Sequence, residues 1–389
     1  MNASNDTAEK PTEPQAPPRT SPNRVEAIDV LRGLSCLAVV LYHVRIDLWI
    51  GWWRIRSYPE QYSALDHAAS WLSVPCPFLG YAIVLFFIIS GFCIHYPNVE
   101  KQAMPWPRYL ARRFLRIYPP YLAAILFTAV TAWTCSHWWG DKTWDPERML
   151  RVATLTQNYP PGSGQFLSNP SLWTIPVEME FYLLYPLVFL AWGRFGATSI
   201  GIAALALAAG ALFFAELGFI WITYTSALFW LFWLAGAWFA TRLRKNDWPR
   251  PGPAHYVGGA GLLAISLWAR MEAIPSAMQY FLWGSFYVVV FLLVVGRKSN
   301  GDEPPLLRLA SSVLARVGRI SFSLYLIHFP FFKLCGFLYR DAFGHKPANF
   351  LVTLSFVPLA ILAAWLFHRL VETPSHHLSR RIGRNKSSA

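Results

Sequence analysis

The sequence predicts an all-α fold, a polytopic membrane helix bundle of about ten transmembrane helices with both termini cytoplasmic. Three observations lead there. Hydrophobic residues are 54% of the chain and charged residues only 14%, and the mean hydropathy is +0.32, too apolar for a water-soluble domain of this length. The charges gather in short clusters between apolar runs of about 20 residues, the length a helix needs to cross hydrocarbon. Lipid offers no partner to a backbone N–H or C=O, so runs of this length must close their hydrogen bonds internally, as helices do. The net charge of +13 sits in those clusters; topology accounts for it, and no nucleic-acid partner is expected.

Residues 1–23 are rich in Pro, Thr, Ser and Asn with almost nothing to bury, and read as a disordered cytoplasmic tail. No basic stretch leads into a short apolar core with a cleavage site, so the first apolar run is read as an uncleaved helix. Ten spans follow, at about 27–49, 77–96, 108–134, 172–192, 197–215, 219–241, 254–270, 277–296, 315–338 and 348–371. Residues 24–376 form one membrane unit, and 377–389 form a basic cytoplasmic tail. Lys101, Arg108, Arg112 and Arg113 lie between spans two and three, and Arg194 between four and five. Arg242, Arg244, Lys245 and Arg250 lie between six and seven, Arg297, Lys298 and Arg308 before nine, and Arg380, Arg381, Arg384 and Lys386 after ten. These alternate connections share one side, which the positive-inside rule makes cytoplasmic. The opposite connections are balanced, as in 135–171, or aromatic, as in 50–76. The five cysteines form no CxxC and no metal-ligand spacing, and a disulfide between Cys76 and Cys135, both near outer loops, stays open.

Ionisable groups at membrane depth cost several kcal/mol unless they face a partner or a cavity, so they mark candidate sites. The first span, IDVLRGLSCLAVVLYH, carries Asp29, Arg32 and His43. Eleven residues separate Arg32 from His43, which returns the helix to nearly the same face with about 16 Å of rise. The alternative is that Asp29 and Arg32 snorkel and His43 is a buried packing residue. The second span ends in Ser90-Gly91, a small pair suited to close packing or a helix break. In RRFLRIYPPY, Arg112 and Arg116 share one helix face beside Arg113. That cluster suits a phosphate-bearing ligand from the cytoplasm, or anionic lipid.

The fourth span opens SLWTIPVEMEFYLLYP, with Trp173, Glu178, Glu180 and Tyr182. Glu178 enters from the outer side while His43 approaches it from within, so the two could meet and fix the tautomer of a general base. Glu180 must point to another face. The ninth span, GRISFSLYLIHFP, sets Ser321, Ser323, Tyr325 and His328 in an apolar run, as helix glue or cavity lining. Glu372, at the end of the tenth, reads as pairing with a neighbouring basic group.

Together these segments resemble the acyltransferase 3 family of integral-membrane O-acyltransferases. The resemblance rests on D-x-L-R-G followed by a histidine (Asp29, Leu31, Arg32, Gly33, His43), FFIISGF (Phe86 to Phe92), RRFLRIYPPY (Arg112 to Tyr121), SLWTIPVEMEFYLLYP (Ser171 to Pro186), GRISFSLYLIHFP (Gly318 to Pro330) and VETP (Val371 to Pro374). Each motif alone is weak; six in order are specific. Thr174, Pro176, Met179 and Glu180 depart from the family's W-S-L-S-V-E-E-Q-F-Y.

The resemblance implies ten helices, a catalytic His43, an essential Glu178 and donor-contacting Arg113 and Arg116. It also implies transfer of an acyl group, usually acetyl, from a cytoplasmic donor to a glycan or other hydroxyl. On that basis the donor is acetyl-CoA or another acyl-CoA, a co-substrate with no metal and no tightly bound cofactor, docked on Arg112, Arg113, Arg116 and Ser90. Glu178 orients His43, and Asp29 and Arg32 complete the catalytic group, with Arg32 or a hydroxyl steadying the oxyanion. Trp173, Tyr182, Ser321, Tyr325 and His328 meet the substrate. The acceptor is an envelope or exported carbohydrate stacked on Trp49, Trp52, Trp53, Tyr58, Trp138, Trp139 or Trp144, unless these form an interfacial belt. The partners expected are the bilayer, the acyl-CoA donor and the carbohydrate, in the cell inner membrane. A transporter or flippase with charges lining its path, and a membrane scaffold, are the alternatives.

Overall fold

A computed structural model describes residues 22–161, 164, 168–297 and 304–382 of the chain. The expected tail 1–23 lies outside the described residues except for its last two positions, which begin the first helix, and the basic tail lies outside them from 383 onward. Lys298 of the basic connections is also outside.

Every regular element among the described residues is helical. Helix α1 is Pro22–Asp47. Short helical turns between 52 and 82 lead into α2, Ile83–His95, whose side chains are nearly all buried. Helix α3, Trp106–Trp139, carries Pro119 and Pro120 inside it. A short helix, Pro146–Ala153, and a 3-10 turn, Pro170–Trp173, precede α4, Thr174–Glu216. Gly196 breaks α4 with φ 79° and ψ 166°, a conformation glycine alone adopts without strain. Then come α5, Trp230–Arg244, α6, Pro253–Met271, and α7, Ser276–Gly296. The chain closes with α8, Pro305–Arg319, α9, Ser321–Phe343, α10, Phe356–Phe367, and α11, Thr373–Arg381.

Among the described residues, seven stretches are long and apolar enough to cross a membrane: Glu26–Asp47, Ala64–Asn98, Trp106–Trp139, Pro170–Glu216, Ser276–Gly296, Ser321–Phe343 and Phe350–Arg381. The expected ten divide the chain more finely. The fourth and fifth spans are one continuous stretch joined across Gly196. Of the sixth, 219–241, only the part from Trp230 is α-helical, because Ile220–Tyr224 is a 3-10 turn. The ninth begins at Ser321 rather than 315, since the chain turns at Ile320 between α8 and α9.

Two helix crossings set the frame of the bundle. A Cβ on Gly33 would lie 2.0 Å from the Leu314 carbonyl oxygen, and one on Gly318 1.9 Å from that of Asp29. Helices α1 and α8 therefore touch backbone to backbone. The same holds for α2 and α5, where a Cβ on Gly91 would lie 1.9 Å from the Trp233 oxygen and one on Gly236 1.9 Å from that of Ile88. Such contact needs small residues on both helices. Around the second crossing Phe87 meets Phe181 edge to face and Phe229 at a tilt, and Phe181 stacks on Trp233. Leu126, Leu183 and Leu187 point outward from the bundle. All five cysteines are free, with Cys76 and Cys135 buried, so the disulfide left open by the sequence is not formed.

Candidate active site

His43 stands near the C-terminal end of α1, buried, with Tyr42 and Phe329 packed edge-on against its ring. Its Nδ1 lies 2.9 Å from Nε2 of His328 on α9. His328 in turn holds its Nδ1 2.9 Å from the Leu324 carbonyl oxygen. A carbonyl only accepts, so that Nδ1 carries the hydrogen and Nε2 of neutral His328 is an acceptor. His43 must then donate from Nδ1, which leaves its own Nε2 with a free lone pair. Two helices and one carbonyl thus fix the tautomer of a base.

Three hollows lie in series through the bundle. The chamber at the His43 end, about 830 Å³, is lined by His43, with Tyr42, Tyr81, Trp173, Tyr280 and Phe329 among its walls. A narrower slot of about 280 Å³ holds Arg32, Ser90, Arg113, Arg116, Glu178 and Tyr182. The third hollow, about 560 Å³, is lined by Lys101, Arg108, Arg112, Arg113, Arg116 and Arg380, and no carboxylate is among its described lining residues. Chamber and slot meet at Ile83 and Tyr325; slot and basic mouth share Arg113, Arg116 and His376. The Tyr325 hydroxyl donates to the Ser171 carbonyl at 2.7 Å and sits 2.7 Å from Thr174 Oγ1, which pins the neck between α4 and α9.

The expected meeting of Glu178 with His43 does not occur. Ser171 Oγ is 3.5 Å from His328 Nε2, which marks the depth of the histidine pair on the fourth span. Glu178 is seven residues further along, about 10 Å deeper. There its carboxylate accepts from Ser90 Oγ at 2.8 Å and from the Tyr182 hydroxyl, and Tyr182 carries Arg113 over its ring. Glu178 therefore organises the slot, and the partner of His43 is His328. Arg32 is corrected likewise. It pairs with Asp29 at 3.1 Å and donates to Cys93 Sγ at 3.1 Å, in the slot rather than beside His43. An oxyanion forming at His43 is out of its reach.

Arg112 does line the mouth, but Nε and Nη2 donate to the Ile382 carbonyl at 3.2 and 2.9 Å, tying α3 to the end of α11. Arg113 and Arg116 are the two that reach from mouth to slot. Of the expected substrate contacts, Trp173 and Tyr325 line the chamber, Tyr182 and Ser321 the slot, and His328 stands behind His43. None of the seven outer-segment aromatics lines the chamber; its aromatic wall comes largely from the spans themselves. Trp49, for one, is buried and donates to the Ala348 carbonyl.

Glu180 points away from Glu178, as its spacing requires, and accepts from the Tyr159 hydroxyl and the Ser226 N–H. Glu372 is buried where a single π turn, His368–Glu372, interrupts the helix. It takes Ser323 Oγ at 2.5 Å and His368 Nδ1 at 2.9 Å, the basic pairing its position suggested. Sequence reasoning missed Asp47, Asp141 and Lys333, all on the chamber wall. Lys333 Nζ lies 2.9 Å from Asp141 and 2.5 Å from Thr143 Oγ1, and is 3% exposed. The available signal was a lysine in an apolar run five residues after His328.

A helical membrane bundle with an embedded histidine base, joined through a slot to a purely cationic mouth, has the parts of a membrane-embedded group-transfer enzyme. The chain belongs to the acyltransferase 3 family: the family's acyltransferase domain matches residues 25–369. It is similar to acyltransferase MdmB of Streptomyces mycarofaciens, 25% identical over 404 aligned positions that cover 96% of each chain. No solved structure matches. Family and fold together make this a multi-pass membrane acyltransferase.

Proposed function

We propose that the protein carries an acyl group, acetyl first, from acyl-CoA on the cytoplasmic side to a hydroxyl of an envelope or exported carbohydrate on the other side of the cell inner membrane. On this reading the chain crosses ten times with both termini cytoplasmic. The observation that supports it most is the series of three hollows. The mouth suits phosphates, since guanidinium forks bind them in pairs. The slot admits a thin arm, and the chamber presents the lone pair of His43. From Arg32 to His43 the helix rises about 16 Å, the depth that a thioester arm must cover.

In the proposed reaction the acceptor hydroxyl gives its proton to His43 Nε2 as its oxygen attacks the thioester carbonyl. The new C–O bond forms, the C–S bond breaks, and the thiolate leaves with the proton from His43. His328 steadies the imidazolium through the Nδ1 hydrogen bond, the role Glu178 was expected to fill. Glu178 instead holds Tyr182 and Ser90 in place along the donor path, and the closed helix packing keeps water from the thioester.

The test uses a deletion strain complemented with wild type, His43→Ala or Arg116→Ala at equal membrane abundance, with envelope glycans read by mass and NMR. An ester restored by wild type and by neither variant is the expected result. An ester restored in full by His43→Ala sinks the mechanism. No change of ester in any strain turns attention to a transport role for the same series of hollows.

A further inference from the structure

We propose that Asp47, Asp141 and Lys333 form an acceptor subsite in the chamber at the His43 end, which holds a polyhydroxylated ring by hydroxyls neighbouring the one that meets His43. The proposal rests on the acyltransferase reading and adds to it the groups that recognise the acceptor.

Asp47 follows His43 by four residues on α1, so it stands on the same face one turn, about 6 Å, nearer the chamber mouth. Its side chain lines the chamber, and among the described residues no hydrogen bond holds its carboxylate. On the facing helix, Lys333 follows His328 by five residues. Each member of the histidine pair thus has a charge of opposite sign about a turn beyond it on its own helix. The ammonium spends two of its three N–H donors on Asp141 and Thr143, leaving one for a ligand. Buried ion pairs rarely stabilise a fold better than apolar side chains of the same volume. What this one supplies is a fixed donor and a fixed acceptor at the wall of a cavity large enough for a sugar ring.

The pattern is complementary to a polyol. Carboxylates accept from two adjacent hydroxyls, the ammonium donates to a hydroxyl or ring oxygen, and the aromatic side chains of Trp173 and Tyr42 line the same chamber as apolar surface for the C–H side of the ring. The net charge of the wall excludes a cationic acceptor. Arg270, Lys333, Arg340 and Lys346 outnumber Asp47 and Asp141 by two. A neutral or acidic sugar fits that field, whereas a protonated amino sugar is repelled.

The experiment is saturation-transfer NMR on the full chain in nanodiscs, which reads weak sugar binding without requiring turnover. The probes are methyl β-D-glucopyranoside and its 2-amino-2-deoxy counterpart, and CoA binding is measured on the same samples as the check on folding. Wild type should give saturable transfer from the glucoside and little from the amino sugar. Asp47→Asn and Lys333→Gln should each weaken glucoside binding about tenfold or more, the loss of a hydrogen bond to a charged group. No saturable transfer in wild type, equal binding by Asp47→Asn, or equal binding of the amino sugar each overturns the subsite. Sugar binding that depends on Asp47 in a protein that never releases CoA from acetyl-CoA would leave the subsite standing and sink the transfer reading instead.

Discussion

Removing His328 tests the relay most directly. In His328→Ala the Nδ1 hydrogen of His43 loses its acceptor at 2.9 Å. While His43 is neutral, that is one orphaned donor, worth about 1–3 kcal/mol. When His43 takes a proton in the transition state, the lost bond is charge-assisted, worth about 1.5–3 kcal/mol. Only the excess of the second loss over the first slows the chemical step, about 0.5–2 kcal/mol, which converts to a fall in kcat of about 2–30-fold. His43→Ala removes the base itself and should cost about 100–10,000-fold. The two losses must not add: once His43 is gone its orienter has nothing to orient, so the double variant should match His43→Ala alone. His328→Gln can present an amide oxygen to Nδ1 and should recover part of the rate. The assay is CoA release from acetyl-CoA with a thiol reagent, in the presence of the acceptor once found, on protein purified at matched yield. An unchanged kcat in His328→Ala, or full additivity in the double variant, would refute the relay and leave the 2.9 Å contact as packing.

Other perturbations test the remaining parts. Glu178→Gln should raise KM for acyl-CoA several-fold, and a double-mutant cycle with His328→Ala should show coupling within about 0.5 kcal/mol, because the two act in different hollows; strong coupling restores the contact with His43. Arg116→Gln should weaken CoA binding by about 10–150-fold, the worth of a charged hydrogen bond, while leaving binding of pantetheine, which lacks the phosphates, unchanged in a titration of the two. Gly236→Ala sets a methyl 1.9 Å from the Ile88 oxygen and should lower thermal stability by about 1–3 kcal/mol, whereas Gly210→Ala, with open space around it, should be neutral. Lys333→Met alone leaves Asp141 as an unpaired charge and should cost about 3–5 kcal/mol, with Lys333→Met/Asp141→Leu recovering most of it, both read as melting of the purified protein.

Fold class was legible because apolar run length is a one-dimensional property, and lipid makes it decisive. Where helices break was less so: the turn at Ile320 and the 3-10 segment Ile220–Tyr224 depend on tertiary packing within apolar sequence. The site was legible as a set of residues and not as a set of pairs. Arg32, Glu178 and Arg113 were each marked by charge in an apolar run, and all three line one slot. Helix periodicity gives the face and depth of a residue on its own helix, but it does not fix the rotation of one helix against another. Glu178 was matched to His43 on approximate depth alone, and a difference of about two turns was enough to separate them. His328 could have been matched by its place in the ninth span. Lys333 was overlooked because its neighbours FFKLCG read as ordinary apolar filling.

The separation of Glu178 from His43 has a chemical sense on the proposed mechanism. A thioester is activated where its carbonyl lies, at the end of the arm, while the phosphates that anchor it remain at the mouth. Cations that bind the donor must therefore sit far from the base, or they would lower the proton affinity of His43, while a carboxylate beside it would hold it protonated in advance and waste it. The structure keeps Arg113 and Arg116 below the Tyr325 neck, and gives His43 a neutral imidazole instead of a carboxylate for a partner. A neutral partner raises basicity less than a carboxylate does, but it does not draw a proton onto His43 before substrate arrives. That trade predicts the outcome of His328→Glu at unchanged abundance: a carboxylate in reach of Nδ1 would raise the proton affinity of His43, and the acid limb of the rate profile would move to higher pH. An acid limb that stays in place would mean that the residue behind Nδ1 does not set the basicity of His43.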